Sequence, residues 1–123
     1  MKKRPINLNL FVIYFPITAI ISILHRLSGV FLFLMIPILL FCLQSSLEAT
    51  ASREWDSILN GHLGKGLIWL TLSALFYHLI AGLRHLIMDI GWGESLWVAR
   101  ISAKTILLLG IVYSILLGGW LWY

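Results

Sequence analysis

The stretch that decides the fold is residues 16–45, PITAIISILHRLSGVFLFLMIPILLFCLQS. A helix that crosses the hydrocarbon of a bilayer needs about 20 mostly apolar residues. This run exceeds that length with Arg26 as its only charged side chain. Pro16 suits the first helical position, where the missing N–H costs nothing. Pro37 lies inside the span, where a membrane helix tolerates the kink expected of it. Two further stretches qualify, residues 63–89 and 101–123, joined by polar connections over 45–61 and 91–100. The expected fold is an all-α membrane protein with three transmembrane helices in one domain, free of internal repeats and low-complexity segments.

Composition agrees with this reading. Of the 123 residues, 60% are hydrophobic and 11% charged, against roughly 25% charged in a soluble domain. A soluble chain this short has no interior large enough for so much apolar surface. The net charge of +4 does not mark a nucleic-acid binder, because the basic residues form no dense run and instead flank the spans. Cys42 is the only cysteine and lies in an apolar run, which excludes an intramolecular disulfide and leaves helix packing as its expected role. The basic N-terminus is not followed by a short apolar stretch with a cleavage site, so no removed signal peptide is expected.

The basic residues also predict orientation. Lys2, Lys3 and Arg4 precede the first span, and Arg84, Arg100 and Lys104 surround the second connection. The first connection has only Arg53 and Lys65 nearby. Positively charged flanks stay on the cytoplasmic side, so the N-terminus and second connection are expected there. Trp120, Trp122 and Tyr123 would form an aromatic belt on the opposite side. The alternation in Asn7-Leu8-Asn9-Leu10-Phe11 predicts a segment lying along the cytoplasmic surface.

Ionisable groups inside a membrane are costly and therefore informative. In the first span Ser22, Arg26 and Gly29 recur at i, i+4 and i+7, with His25 three residues from Ser22, so all can share one helix face. In the second span His78, Gly82, His85 and Asp89 recur at i, i+4, i+7 and i+11. Gly82 is expected to open a gap in that stripe where a flat group can approach. Antiparallel packing would bring Ser22, His25 and Arg26 to the depth of His85 and Asp89.

A buried neutral imidazole beside a small residue meets the needs of a haem axial ligand. His78 is the candidate, being the deepest and the furthest from charge. His85 stands about 10 Å along the same helix and cannot share its iron. His25 reads as too close to the cytoplasmic edge to match His78, so a second ligand is expected from another chain. His25, Arg26 and His85 form a collar suited to haem propionates. Ser22 and Arg26 can reach a quinone carbonyl, Arg26 stabilising the charge that develops on reduction. Asp89, at the interface, can deliver protons.

Each residue also has a plainer reading. His78 can be an interhelical hydrogen bonder, Ser22 a packing hydroxyl, and Arg26 a side chain snorkelling to lipid phosphates. Snorkelling is the expected behaviour of Arg84. His62, at the start of the second span, receives no role.

Two motifs add to this. Arg4-Pro5-Ile6-Asn7-Leu8, Phe15-Pro16-Ile17-Thr18-Ala19-Ile20 and Ser22-Ile23-Leu24-His25-Arg26-Leu27-Ser28-Gly29 together resemble the first signature of the cytochrome b membrane-anchor subunit of succinate dehydrogenase, in its bacterial form. The run Tyr77-His78-Leu79-Ile80-Ala81-Gly82-Leu83-Arg84-His85-Leu86-Ile87-Met88-Asp89-Ile90-Gly91 is similar to the second signature. The two cover about a third of the chain. The resemblance implies a place in a larger heteromeric helix bundle, with a second three-helix anchor subunit, an iron–sulfur subunit and a flavoprotein subunit. It implies electron flow from succinate through FAD and iron–sulfur clusters to ubiquinone, with haem b between the two anchors in the bacterial inner membrane. By motif position it implies that His78 ligates the haem iron and that the partner anchor supplies the other ligand. It likewise places Ser22 and Arg26 at the quinone, with His25 and Arg26 beside the propionates. His85 and Asp89 also fall on motif positions. The alternatives are a fumarate reductase anchor using menaquinone, a small transporter or channel lined by the polar stripe, and a structural anchor without haem.

Overall fold

A computed structural model describes residues 15–47 and 57–123. Lys2, Lys3, Arg4, the Asn7–Phe11 segment and Arg53 lie outside the described residues, and with them much of the charge pattern behind the expected orientation. Among the described residues three long helices follow in order: α1 over Ile17–Leu47, α2 over His62–Asp89 and α3 over Leu96–Trp122. All three are long and apolar enough to cross a membrane. At 1.5 Å per residue each exceeds the roughly 30 Å of hydrocarbon, so their ends reach the polar layers.

Local chemistry explains where the helices begin and end. Pro16 sits just before α1 rather than at its first position, and its carbonyl accepts from Ala19 N at 2.9 Å. The helix continues through Pro37. At the end of α2, Gly91 N donates to Met88 O (2.9 Å) and Trp92 N to Ile87 O (3.2 Å). That pair of bonds is a Schellman cap, which needs a left-handed residue, and Gly91 supplies it with φ of 88°. Gly93 (φ 77°) turns the chain again toward Ser95, whose hydroxyl caps α3 by accepting from Val98 N at 3.4 Å.

This cap starts α3 five residues before the apolar run at Ile101. Arg100, expected in the connection, therefore stands within the first turns of the helix. The charge of Arg100 hid the helix start from a reading based on hydropathy.

Small residues let the helices approach closely, as expected where lipid supplies no hydrophobic drive between them. Ala99, Ala103, Ile106 and Gly110 form one buried stripe on α3. The centre of the bundle is Ile21, Ala81, Ala103 and Ile106, with Ile17, Tyr77, Ile80 and Leu107 packed around it. Polar pins set the register. Tyr77 Oη donates to Ile21 O (3.2 Å) between α2 and α1, and Trp69 Nε1 to Ser114 O (2.7 Å) between α2 and α3. The Phe76 and Tyr113 rings stack at 4.0 Å. Outward-facing apolar side chains such as Phe33, 70% exposed, meet lipid or other helices. Trp120, Trp122 and Tyr123 are exposed at the end of α3.

Arg84 departs from expectation. It is 7% exposed and turns inward, donating from Nε to Ser102 Oγ (2.9 Å) and from a terminal nitrogen to Ala99 O (3.0 Å). The guanidinium ties α2 to α3 and does not snorkel. The rotation of α2 that aims its histidines at α1 carries Arg84 toward α3.

Candidate functional site

α1 and α2 run antiparallel, with Gly29 beside His78 and His25 beside Gly82. This register brings three histidines together. The His25 and His78 rings stack with centroids 4.2 Å apart and planes 15° from parallel. His85 lies on the other side of His25, its ring 5.2 Å away and tilted by 49°. The two glycines make the stack possible. A Cβ on Gly29 would lie 2.9 Å from His78 Cε1, and one on Gly82 would lie 3.1 Å from His25 Nε2.

Two expectations change accordingly. Gly82 does open a gap for a flat group, but the group is the imidazole of His25. His25 is also not too shallow to reach His78. One turn of α1 and the length of its side chain bring the rings into contact. Face-to-face stacking points the nitrogens of both rings edgewise, so the pair cannot approach one iron from opposite sides.

The hydrogen bonds of His78 fix its chemistry. Nδ1 lies 3.1 Å from His25 O and 3.1 Å from Ser28 Oγ. Ser28 in turn donates its single hydroxyl proton to His25 O at 2.8 Å. With that proton committed, both groups facing Nδ1 are acceptors, so Nδ1 carries the ring proton and Nε2 the lone pair. Nε2 makes no hydrogen bond among the described residues. Metal-ligating histidines show this pattern: one nitrogen donates to a carbonyl and the other is left for the metal. The donor set of His78 therefore fits a haem iron. In the sequence Ser28 stood only within the first motif and received no role; its position three residues after His25 was the available signal.

The remaining candidates spread around this core. His85 is half-buried, and its buried Nε2 has no hydrogen-bond partner among the described residues. Ser22 is half-buried, Arg26 is exposed one turn further along α1, and Asp89 is exposed as the last residue of α2. His62 is exposed at the opposite end of α2, about 35 Å from His85 along the axis, and takes no part. Three grooves between helices, of about 370, 490 and 230 Å³, are lined mainly by apolar side chains and include none of the histidines. The stacked histidines line none of these three grooves, although Ser28 beside them lines the second.

Fold and site together define a three-helix integral membrane protein whose first two spans share a histidine cluster. The chain belongs to the succinate dehydrogenase/fumarate reductase transmembrane subunit family, a model of which matches residues 1–117. It is similar to the succinate dehydrogenase cytochrome b556 subunit of Coxiella burnetii, 42% identical over 98% of both chains. The b556 subunit of Paracoccus denitrificans is 32% identical, over 93% of this chain and 88% of the relative. The succinate dehydrogenase cytochrome b560 subunit of Reclinomonas americana is 30% identical, over 97% and 85%.

Proposed function

We propose that this chain is the haem b- and quinone-binding anchor subunit of a succinate dehydrogenase in a bacterial inner membrane, with its N-terminus cytoplasmic. Its partners in this reading are a second membrane anchor, an iron–sulfur subunit and a flavoprotein subunit that oxidises succinate. The observation that carries the proposal is the state of His78, whose Nδ1 is held by His25 O and Ser28 while Nε2 is left without a bond. The names of the relatives favour succinate oxidation over fumarate reduction. The histidine stack, closed to the grooves, speaks against a channel.

A haem bound here supplies a one-electron carrier between the iron–sulfur clusters and the quinone. His78 would hold the haem iron through Nε2; the stacked geometry keeps His25 from sharing that iron, which would leave a further protein ligand to the second anchor. His25, Arg26 and His85 hold the propionates, where the unpartnered Nε2 of His85 has a hydrogen bond to gain.

Ser22 and Arg26 lie one turn apart on α1 and receive ubiquinone. The Ser22 hydroxyl orients a quinone carbonyl by hydrogen bonding. The fixed charge of Arg26 stabilises the negative oxygen that develops as electrons arrive. Asp89, exposed at the end of α2, passes protons inward, so that two electrons and two protons convert the quinone to the quinol. The test is a reduced-minus-oxidised visible spectrum of the complex purified from membranes with its natural partners. A b-type band is expected, and its absence would overturn the haem assignment.

A further inference from the structure

We propose that Ser28 is a positioning residue, fixing the ring proton and orientation of His78 from the neighbouring helix; this rests on His78 being the haem ligand. The carbonyl of His25 is crowded. Beyond its helical partner it receives the Ser28 hydroxyl at 2.8 Å and faces His78 Nδ1 at 3.1 Å. A carbonyl has two lone pairs, so with the helical N–H and the Ser28 hydroxyl both on His25 O the imidazole N–H is shared between two acceptors. Ser28 Oγ, 3.1 Å from the same nitrogen, supplies the additional acceptor. Because its only proton is spent on His25 O, it also presents a lone pair where an unprotonated Nδ1 would need a donor. The hydroxyl therefore favours the tautomer that leaves Nε2 free, and it does so from α1 although the ligand stands on α2.

Steric confinement completes the device. The ring fits in the space left by Gly29, is covered on one face by His25, and has its edge held by Ser28. A hydrogen bond accepted from the far nitrogen makes an imidazole a stronger donor to its metal, and losing such a partner typically weakens metal binding 10–100-fold. The effect falls more on the ferric state, whose extra charge gains more from an electron-rich ligand.

The experiment compares wild-type complex with Ser28→Ala and Ser28→Thr by redox titration of the haem band and by the low-spin ferric electron paramagnetic resonance signal. Ser46→Ala is the control, because Ser46 makes the same backward bond, to Leu43 O at 2.8 Å, without facing a histidine. Ser28→Ala is expected to raise the haem potential by about 59 mV for a tenfold selective loss of ferric binding and to shift the ferric signal. Ser28→Thr restores the hydroxyl, since threonine in a helix makes the same backward bond, and returns both readouts toward wild type. The added methyl has room in the groove that Ser28 lines with Leu24 and Leu27. Ser46→Ala leaves both unchanged. An unaltered potential and signal in Ser28→Ala would overturn the proposal while leaving the haem assignment standing. If Ser28→Ala assembles without haem, recovery in Ser28→Thr supports the positioning role and failure to recover overturns it. Absence of haem from the wild type would instead remove the reading on which it rests.

Discussion

Gly29→Ala isolates the contact on which the histidine cluster depends. The new Cβ would lie 2.9 Å from His78 Cε1, against the 3.5–4.0 Å at which carbon atoms pack best. The imidazole must retreat by more than half an ångström. Two bonds hold it at 3.1 Å, and at about 3.6 Å they no longer count as hydrogen bonds. Overpacking costs about 1–3 kcal/mol, and the weakened hydrogen bonding about 1 kcal/mol more. Replacing glycine by alanine inside a helix returns about 1 kcal/mol, leaving a net loss of about 1–3 kcal/mol. Gly66→Ala is the matched comparison, because a Cβ there meets nothing within 4 Å and only the helical gain remains. The assay is survival of the detergent-solubilised complex after graded heating, read by size-exclusion chromatography. Gly29→Ala is expected to lower the midpoint while Gly66→Ala holds or raises it. Equal shifts in the same direction would refute the close packing of Gly29 against His78.

Arg84→Ala removes a buried side chain and both of its bonds to α3, and is expected to cost about 2–4 kcal/mol in the same heating assay, in the range of large-to-small core changes. Arg84→Met should cost much less: Ser102 already donates to Ala99 O at 3.2 Å, so no buried hydroxyl is stranded, and apolar replacement of a buried charge is often neutral. Equal losses in the two variants would show that the charge itself is required. Trp69→Phe gives up the 2.7 Å bond to Ser114 O and should lower stability by about 1 kcal/mol, with no change in the visible spectrum; a spectral change would link α3 to the histidine cluster. Arg26→Ala should slow quinone reduction by about 10²-fold, the scale of losing one charge-stabilising group, while electron delivery to an artificial acceptor from the soluble subunits is unchanged. Equal slowing of both would refute a quinone role for Arg26.

The three spans were legible in the sequence because a run of apolar residues carries its own length criterion. The histidine stripes were legible too, since a period of 3.6 places i, i+4 and i+7 on one face without knowledge of any neighbour. The register between helices was not. Whether Gly82 faces a cofactor or the ring of His25 depends on how far α1 slides along α2, and that is set by contacts such as Tyr77 with Ile21 and His78 with Ser28. Arg84 failed for a related reason. Snorkelling and inward bonding are both open to a long cation near a helix end, and only the proximity of Ser102 and the Ala99 carbonyl decides between them. The start of α3 at Leu96 was hidden because the charge of Arg100 breaks the hydropathy signal ahead of Ile101.

The most direct measurement is the visible and electron paramagnetic resonance spectrum of the purified complex carrying His78→Ala beside one carrying His62→Ala. The His78 variant should lose the b-type band or convert it from low-spin to high-spin, while the His62 variant keeps the wild-type spectrum. An unchanged low-spin haem in His78→Ala would contradict the account, because Nε2 of His78 would then not be the ligand that its hydrogen bonds prepare it to be.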